Sequence, residues 1–183
     1  MSHIRQFIYR VNAENRVSYV DSTWVAFAAE NGLPSLTAKL VIGTLLWDYI
    51  SGASMRQFYR MFMAKVRSTG LPVNVPFRCD GPDCRRFMEM GIILLARNAL
   101  EFRNYLIREE PRPRVELFNP KSPRKGELLT VCSWCKKVKA SRWLEAEDAV
   151  RELKLFGPIG VPMISHGFCP DCERMLRQIA ENE

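Results

Sequence analysis

Two Cys-x-x-Cys pairs constrain this chain more than any other feature of its sequence. They are Cys132-Ser-Trp-Cys135 and Cys169-Pro-Asp-Cys172, and 33 residues lie between them. Each pair has the spacing of a metal-binding knuckle, and two knuckles supply the four ligands of a tetrahedral Zn²⁺ site. A closed shell of four thiolates leaves no open coordination position. The pattern therefore predicts a structural zinc site whose ligands are Cys132, Cys135, Cys169 and Cys172.

The segment that carries these cysteines, residues 128–183, is predicted to be a small zinc-ribbon-like module. A module of this length cannot bury a large apolar core, and metal-coupled folding is the usual remedy. A dithiol redox site and an iron–sulfur cluster stay open as other uses of the four cysteines, although thioredoxin-like sites lie in a βαβ context that is missing here. His166 lies three residues before Cys169. We expect it to lie at the surface, to donate a hydrogen bond to a thiolate, or to replace a cysteine as ligand.

Composition and the first residues bear on location. The chain is 47% hydrophobic and 26% charged, which is typical of a folded protein and not of a disordered one. Apolar runs such as residues 92–96 are too short to span a bilayer, and the first residues do not form a signal segment. We therefore expect a cytoplasmic protein without a membrane partner, in which cysteines are metal ligands or free thiols more often than disulfides.

The first 110 residues predict an α+β fold. A hairpin comes first, and short helices follow, the first of them capped by Asp21 or Ser22. A capping-box pattern at Ser54 and Gln57 then opens a long amphipathic helix. Since alternation of apolar and polar residues buries one face of each strand, we expect a five-stranded antiparallel sheet with helices on one face. The strands are predicted over residues 4–11, 16–20, 73–80, 88–94 and 100–106.

This order of two strands, three short helices, one long helix and three strands resembles the PAS domain. The resemblance covers residues 4–110, and the segment from Tyr9 to Asp21 looks like the opening hairpin of many bacterial PAS domains. Trp24 and Phe27 follow in the first helix, as in that family. The resemblance implies a sensory or interaction domain over 1–110, of a kind that often pairs into a homodimer. A basic, proline-rich linker is predicted over 111–127.

The C-terminal part resembles a tail that follows sensory domains in bacterial signalling proteins. In that tail Cys-x-x-Cys-Lys precedes a helix with a tryptophan, and Ser-His-Gly-x-Cys-Pro-x-Cys closes it. The matching residues here are Cys132–Lys137, Trp143 and Ser165–Cys172. The resemblance implies an accessory role in signalling, because such tails lack known catalytic residues.

Haem and flavin are not expected as cofactors. The sequence has two histidines, His3 and His166, and neither lies on or near the long helix, where haem-binding relatives carry one. Residues 36–50 hold no cysteine of the kind that flavin photosensors use. A small apolar or aromatic ligand could bind near Trp47, Phe58 or Phe62, although these three residues are explained equally well as core.

Cys79 and Cys84 form a separate pair at one end of a predicted hairpin. Two ligands do not make a metal site. The pair is therefore either two incidental thiols or a redox-sensing pair.

The sequence shows no phosphate-binding loop and no nucleophile with a nearby histidine, so we expect no enzyme. The leading hypothesis is a non-catalytic signal-transduction protein that binds a small molecule, a protein partner or a second copy of itself. A thiol redox sensor stays open as an alternative.

A second alternative is a zinc-ribbon regulator that binds nucleic acid. Residues 111–142 hold nine basic against two acidic residues, a balance of +7. No helix rich in arginine or lysine follows the second knuckle, which makes nucleic acid the less favoured partner. The cations that could hold phosphates are Arg112, Arg114, Lys121, Arg124, Lys125, Lys136, Lys137 and Lys139.

Overall fold

The computed structural model describes residues 5–155 and 160–181, which fall into two compact units. The first unit consists of the described residues up to Pro76, Met88–Ile107, and those from Leu176 onward. The second unit consists of Phe77–Phe87 and Arg108–Met175. Within the described ranges, no helix has both the length and the apolar character needed to cross a bilayer.

A five-stranded antiparallel sheet organises the first unit. Its strand order is β2-β1-β5-β4-β3. The hairpin of β1 and β2 therefore joins the rest of the sheet through the pairing of β1 with β5. Tyr9 pairs with Phe102 in the register of β1 and β5, and the two rings stack with centroids 4.5 Å apart. The strands are β1 (Arg5–Val11), β2 (Val17–Val20), β3 (Val73–Arg78), β4 (Cys84–Leu94) and β5 (Leu100–Pro111).

The helices of the first unit lie between β2 and β3 in the chain. They are α1 (Ser22–Glu30), α2 (Ala38–Val41) and α3 (Ala53–Thr69), with a 3₁₀ turn at Leu46–Asp48. α3 buries Phe58, Phe62, Met63 and Val66, as its periodicity predicts, and ends at Gly70 in the left-handed conformation. The predicted α+β arrangement of a five-stranded antiparallel sheet and helices is confirmed.

The predicted capping box of α3 is wrong. The helix begins at Ala53 behind Gly52, and no side chain caps its first turn. Ser54 is therefore already helical. The sequence pattern places the start of the helix one or two residues too late. The N-cap position is taken by Gly52, whose φ of +86° makes the turn into the helix without a capping side chain.

Asp21 is the residue that caps α1. Its Oδ1 accepts a hydrogen bond from the Trp24 N–H at 2.6 Å, and its Oδ2 accepts one from the Ile8 N–H at 3.0 Å. Asp21→Ala is expected to lower the free energy of unfolding by about 1–2 kcal/mol, because it leaves both donors without this partner. Urea denaturation would measure the loss. Ser22→Ala, at the exposed first position of the helix, is the control and should change stability little; an equal loss in both variants would contradict the assignment of the cap.

The second unit contains a four-stranded sheet of order β8-β7-β6-β9, in which β6 and β9 are parallel and the other pairs antiparallel. Its strands are β6 (Arg124–Cys132), β7 (Val138–Lys139), β8 (Trp143–Leu144) and β9 (Val161–Gly167). Helix α4 (Ala146–Glu152) follows β8, and helix α5 (Pro170–Glu181) follows β9. The last turns of α5, from Leu176, belong to the first unit.

Two local predictions in this unit need correction, and a third lies partly outside the described residues. A helix is predicted from Trp143, but Trp143 and Leu144 pair with β7, so α4 begins at Ala146. The predicted strand at 128–131 is longer and begins at Arg124. The segment 156–162 is predicted as a break; residues 156–159 lie outside the described residues, and Val161 and Pro162 belong to β9. Pro162 is tolerated because β9 is at the edge of the sheet.

The apolar core of the second unit draws on the predicted linker. Arg112, Val115 and Leu117 are buried, and Val115 and Leu117 join the core between the sheet and α4. This part of 111–127 is thus packed, whereas the sequence predicts an exposed connection. The reason is that Val115 and Leu117 pack against residues that are distant in the chain, which the local sequence does not show. The outer limits of the predicted domains stay a prediction.

Candidate metal centre

Four thiols of the second unit form one cluster. The sulfur atoms of Cys132, Cys135, Cys169 and Cys172 all lie within 4.8 Å of one another, and all but Cys135 are buried. Cys135 Sγ and Cys169 Sγ are 3.7 Å apart. Thiolates about 2.3 Å from a tetrahedral Zn²⁺ lie about 3.8 Å from one another. The cluster could therefore hold a metal ion, and its size is consistent with structural zinc.

The backbone builds the first knuckle at the end of β6. The Cys132 N–H donates to the Lys137 carbonyl at 2.7 Å, and the Lys136 N–H donates to the Cys132 carbonyl at 3.0 Å. These two bonds close a tight turn, in which Lys136 takes a left-handed conformation with φ +63°. The turn brings both thiols of the knuckle to the same side.

The second knuckle is placed by β9 and α5. Parallel pairing of β9 with β6 sets Gly167 beside Cys132, two residues before Cys169. The Cys169 N–H then donates to Cys132 Sγ at 3.4 Å, and Cys172 lies in the first turn of α5. An N–H donor of this kind stabilises a thiolate. The long-range pairing of two strands thus unites cysteines that are 34 or more residues apart.

The thiols compete for negative charge. Hydrogen bonds from the thiols of Cys135 and Cys172 lower the pKa of Cys132 far below its ordinary value. The bond to Cys132 raises the pKa of Cys135 to about 12, and bonds to Cys132 and Cys135 raise the pKa of Cys172 strongly. Without a metal, these shifts favour a thiolate at Cys132 and protonated thiols at Cys135 and Cys172. A divalent cation is the group that would stabilise all four as thiolates.

His166 is not a member of this cluster. It lies on β9 in register with Val131, and its side chain is exposed. Partial desolvation lowers the pKa of His166, and the charges of Lys136 and Arg124 lower it further. Since four thiols already complete a tetrahedral set, the geometry gives a ligating role to the cysteines alone.

The tryptophan inside the first knuckle anchors it to the rest of the second unit. The Arg78 N–H donates to the Trp134 carbonyl at 2.9 Å, and the rings of Phe77 and Trp134 are 6.0 Å apart. Trp134 is buried. The knuckle is therefore attached to the end of β3, a contact that the spacing of cysteines does not predict.

A buried ion-pair network lies in the same unit and was not predicted. Asp80, whose side chain is completely buried, lies between Arg78 and Arg112, and both guanidinium groups bind its carboxylate. Arg112 also donates to the Gly81 carbonyl at 2.6 Å. Arg78 binds Glu145 at 2.8 Å, and although burial would lower the pKa of Arg78, its bonds to the two carboxylates raise it. The charges compensate one another, so this network stabilises the fold and is not a site for an anion.

The structure reduces the set of cations that a nucleic acid could reach. Arg112 is buried in the network, and Arg114 binds Glu116. Arg124 donates to the carbonyls of Leu117 and Pro162, and Lys136 donates to that of Ser133. The other four of the eight predicted cations are more accessible. Lys121, Lys125 and Lys139 are exposed, and Lys137 is half-buried.

The first unit contains a cavity of about 170 Å³. Its lining side chains are aliphatic or aromatic, and three of the aromatic ones are tyrosines. Burial raises the pKa of Tyr9 well above its ordinary value, as does its hydrogen bond with Tyr59, so that hydroxyl stays neutral. The lining residues are Tyr9, Val17, Val20, Trp24, Val41, Leu46, Tyr49, Ile50 and Tyr59.

None of the three residues predicted to surround a ligand lines this cavity. Phe58 and Phe62 are buried side chains of α3, with ring centroids 6.2 Å apart. Trp47 is half-buried under the guanidinium of Arg60, 4.9 Å from its ring centroid. The neighbouring residue Tyr59 is the one that α3 presents to the cavity. Helical periodicity marks the inner face of α3 but does not show which side of that face is left unfilled.

Cys79 and Cys84 lie at either end of the turn between β3 and β4. Both are free cysteines outside the four-thiol cluster, Cys84 buried and Cys79 half-buried. Burial raises the pKa of each thiol above its ordinary value. Thiols in this state are weak nucleophiles near neutral pH.

No protein-family model and no curated protein sequence matches this chain. The function of the chain is therefore inferred from the cavity of the first unit and from the thiol cluster of the second.

Proposed function

We propose that this chain is a non-catalytic signal-transduction protein, with a PAS-like sensing domain and a structural zinc module. The cavity of the first unit is the observation that carries the proposal. In this role a neutral ligand in the cavity changes the packing of α1 and α3 on the sheet. A partner protein or a second copy of the chain then reads the change.

The sensing role is supported by the position of the cavity. Its lining comes from β1, β2, α1, α2, α3 and the 3₁₀ turn, so a ligand there touches every helix of this unit that lies between β2 and β3. The five-stranded antiparallel sheet and the helices between β2 and β3 also support the proposal. A ligand that prefers one packing of these elements shifts their equilibrium by its difference in affinity for the two states.

The zinc role is supported by the fit of the thiol cluster. The four sulfur atoms have the spacing of a tetrahedral Zn²⁺ site, and four protein ligands leave no position for a substrate. Cys132, Cys135, Cys169 and Cys172 would hold the metal, which would join β6, β9 and α5. A small module gains most of its folding free energy in this way.

The cavity predicts binding of small neutral aromatic molecules. An apolar cavity of about 150 Å³ in another protein binds benzene, so phenol or indole is of suitable size here. Saturating indole is expected to stabilise the protein by about 1–3 kcal/mol, measured as a rise in the midpoint of thermal unfolding. Val41→Phe should fill the cavity and abolish the rise while the protein stays folded.

Ile42→Phe is the matched control for this experiment. Ile42 neighbours Val41 in the chain, is exposed and does not line the cavity. This variant should keep the response to indole. If neither benzene, phenol nor indole changes the unfolding midpoint of the unmodified protein, small-molecule sensing by this cavity is excluded.

A further inference from the structure

The four-stranded sheet of the second unit has one packed face and one open face. Leu129, Val131, Val138 and Leu144 belong to the packed face, where they form the core with Ala146 and Ala149 of α4. Since successive residues of a strand point to opposite faces, the residues between them lie on the other side. We call that side the open face; its residues are Leu128, Thr130, Cys132, Lys137, Lys139, Trp143, Met163, Ser165 and Gly167.

The register places a row of four residues straight across the open face. Trp143 pairs with Lys139, and Thr130 pairs with Ser165. The pairing of Val131 with Val138 sets Lys139 opposite Thr130 in the antiparallel ladder. The row therefore reads Trp143, Lys139, Thr130, Ser165, that is, an aromatic ring, a cation and two hydroxyl groups.

Two exposed apolar side chains lie next to this row. Leu128 pairs with Met163, and the two side chains are 67% and 47% exposed. Because they are paired, the two side chains form one small exposed apolar patch beside the row, which a ligand of the row could contact. Cys132, the last residue of β6, lies at the other end of the open face and is one of the four clustered thiols.

The charge on the open face has one sign. Of the nine residues that the register assigns to it, two are lysines and none is an aspartate or glutamate. Lys139 is exposed, and Lys137 is half-buried and lies opposite Cys132. Four thiolates around Zn²⁺ carry a net charge of about −2, so Lys137 compensates part of that charge and Lys139 is the stronger anion contact.

These features point to single-stranded nucleic acid as the ligand of the open face. Lys139 and Lys137 would contact phosphates, and Thr130 and Ser165 would donate hydrogen bonds. A base would stack on Trp143, and Leu128 and Met163 would contact further bases. Duplexes fit this surface poorly because the major groove admits a helix or a two-stranded ribbon, whereas this row crosses four strands. This role does not depend on the cavity of the first unit.

An acidic peptide would share the lysine contacts but not the rest of the row. Its carboxylates have no use for a ring aligned with the cation, whereas every base has a face that can stack on one. The ring and the two apolar side chains thus favour a nucleic acid, and the acidic peptide becomes the competing outcome of the test.

Binding is tested with the full chain and fluorescein-labelled oligo(U) and oligo(dT) of about 12 nucleotides, by anisotropy at salt concentrations from about 50 to 200 mM. Binding that weakens with salt is expected. Replacing Lys137 and Lys139 by glutamine should weaken it about tenfold or more at low salt and reduce the salt slope by about 1.4, the loss of two phosphate contacts.

Substitution of Trp143 tests the stacking contact separately from the phosphate contacts. Trp143→Leu is expected to weaken binding about tenfold with an unchanged salt slope, because stacking releases no counterions. Trp143→Tyr should restore most of the affinity. Zinc content is measured for every variant, so that a loss caused by unfolding is recognised and only variants that keep the metal are compared.

Lys154→Gln is the matched control. Lys154 is exposed and follows α4, which packs on the opposite face of the sheet, so the variant removes one positive charge and should leave binding nearly unchanged. The proposal is overturned if neither oligonucleotide changes the anisotropy at any salt concentration. It is also overturned if Lys154→Gln weakens binding as much as the open-face variants do, or if a labelled polyglutamate peptide binds as tightly as the oligonucleotides.

Discussion

Cys132→Ser is expected to release the metal and unfold the second unit. Cys132 would contribute a ligand, and its sulfur also accepts a hydrogen bond from the Cys169 N–H, so it joins the two knuckles directly. The apparent free energy of zinc binding in small modules is about 10–16 kcal/mol, more than the apolar core of such a module provides. Elemental analysis of protein purified without added metal should give about one zinc per chain for the unmodified protein and little for the variant. Hydrogen exchange should show lost protection in β6, β7 and β9.

Cys84→Ala is the control for this experiment. Cys84 is buried in the same unit but lies outside the four-thiol cluster, so its replacement should leave the metal in place. A Cys132→Ser protein that keeps its zinc would contradict the assignment of the ligands. Iron with acid-labile sulfide in the unmodified protein would identify an iron–sulfur cluster. If the unmodified protein contains no metal and β6 and β9 are still protected from hydrogen exchange, no metal has a structural role there.

Asp80→Asn is expected to destabilise the second unit by about 3–5 kcal/mol. The change removes the one negative charge that lies between two guanidinium groups, and the side chain of Arg112 is only 1% exposed. Arg112 cannot reach water from this position, and it would keep only the Gly81 carbonyl and a longer contact of 3.5 Å with Glu147. Urea denaturation at fixed zinc concentration, followed by the fluorescence of buried Trp134, would measure the loss.

Glu116→Gln is the matched control for Asp80→Asn. It also removes a carboxylate that binds an arginine, but Arg114 is 55% exposed and Glu116 36% exposed. Solvent screens such a pair, so a much smaller change is expected than for Asp80→Asn. A similar small change for Asp80→Asn would show that the buried network relaxes or admits water, and that it does not hold the turn between β3 and β4 in place.

The sequence was most informative where local signals agree. The alternation in β3, β4 and β5 and the periodicity of Phe58, Phe62 and Val66 in α3 are set by neighbours in the chain, and both predictions are confirmed. Arg97-Asn98 is predicted from the sequence as a tight turn between the last two strands, and both residues have a positive φ there. These elements depend on residues a few positions apart, which a sequence displays directly.

It was less informative in the second unit, where pairing over long distances decides the structure. Trp143 and Leu144 have helical spacing to the residues after them, yet they form β8 because β7 offers them backbone partners. Val115 and Leu117 are read as part of a linker until a sheet and a helix cover them. Local propensity is a weak preference that tertiary contacts override.

What the sequence determined by itself is the candidate metal centre: the spacing identifies four cysteines that can supply a complete tetrahedral set of thiolates. What only the tertiary structure decided is the surroundings of these cysteines and the rest of the interior. The parallel pairing of β6 and β9 unites the knuckles, Asp80 binds two arginines in the interior, and residues of two strands and three helices line a cavity. The physical reason is that burial, charge compensation and unfilled space depend on residues brought together from distant parts of the chain.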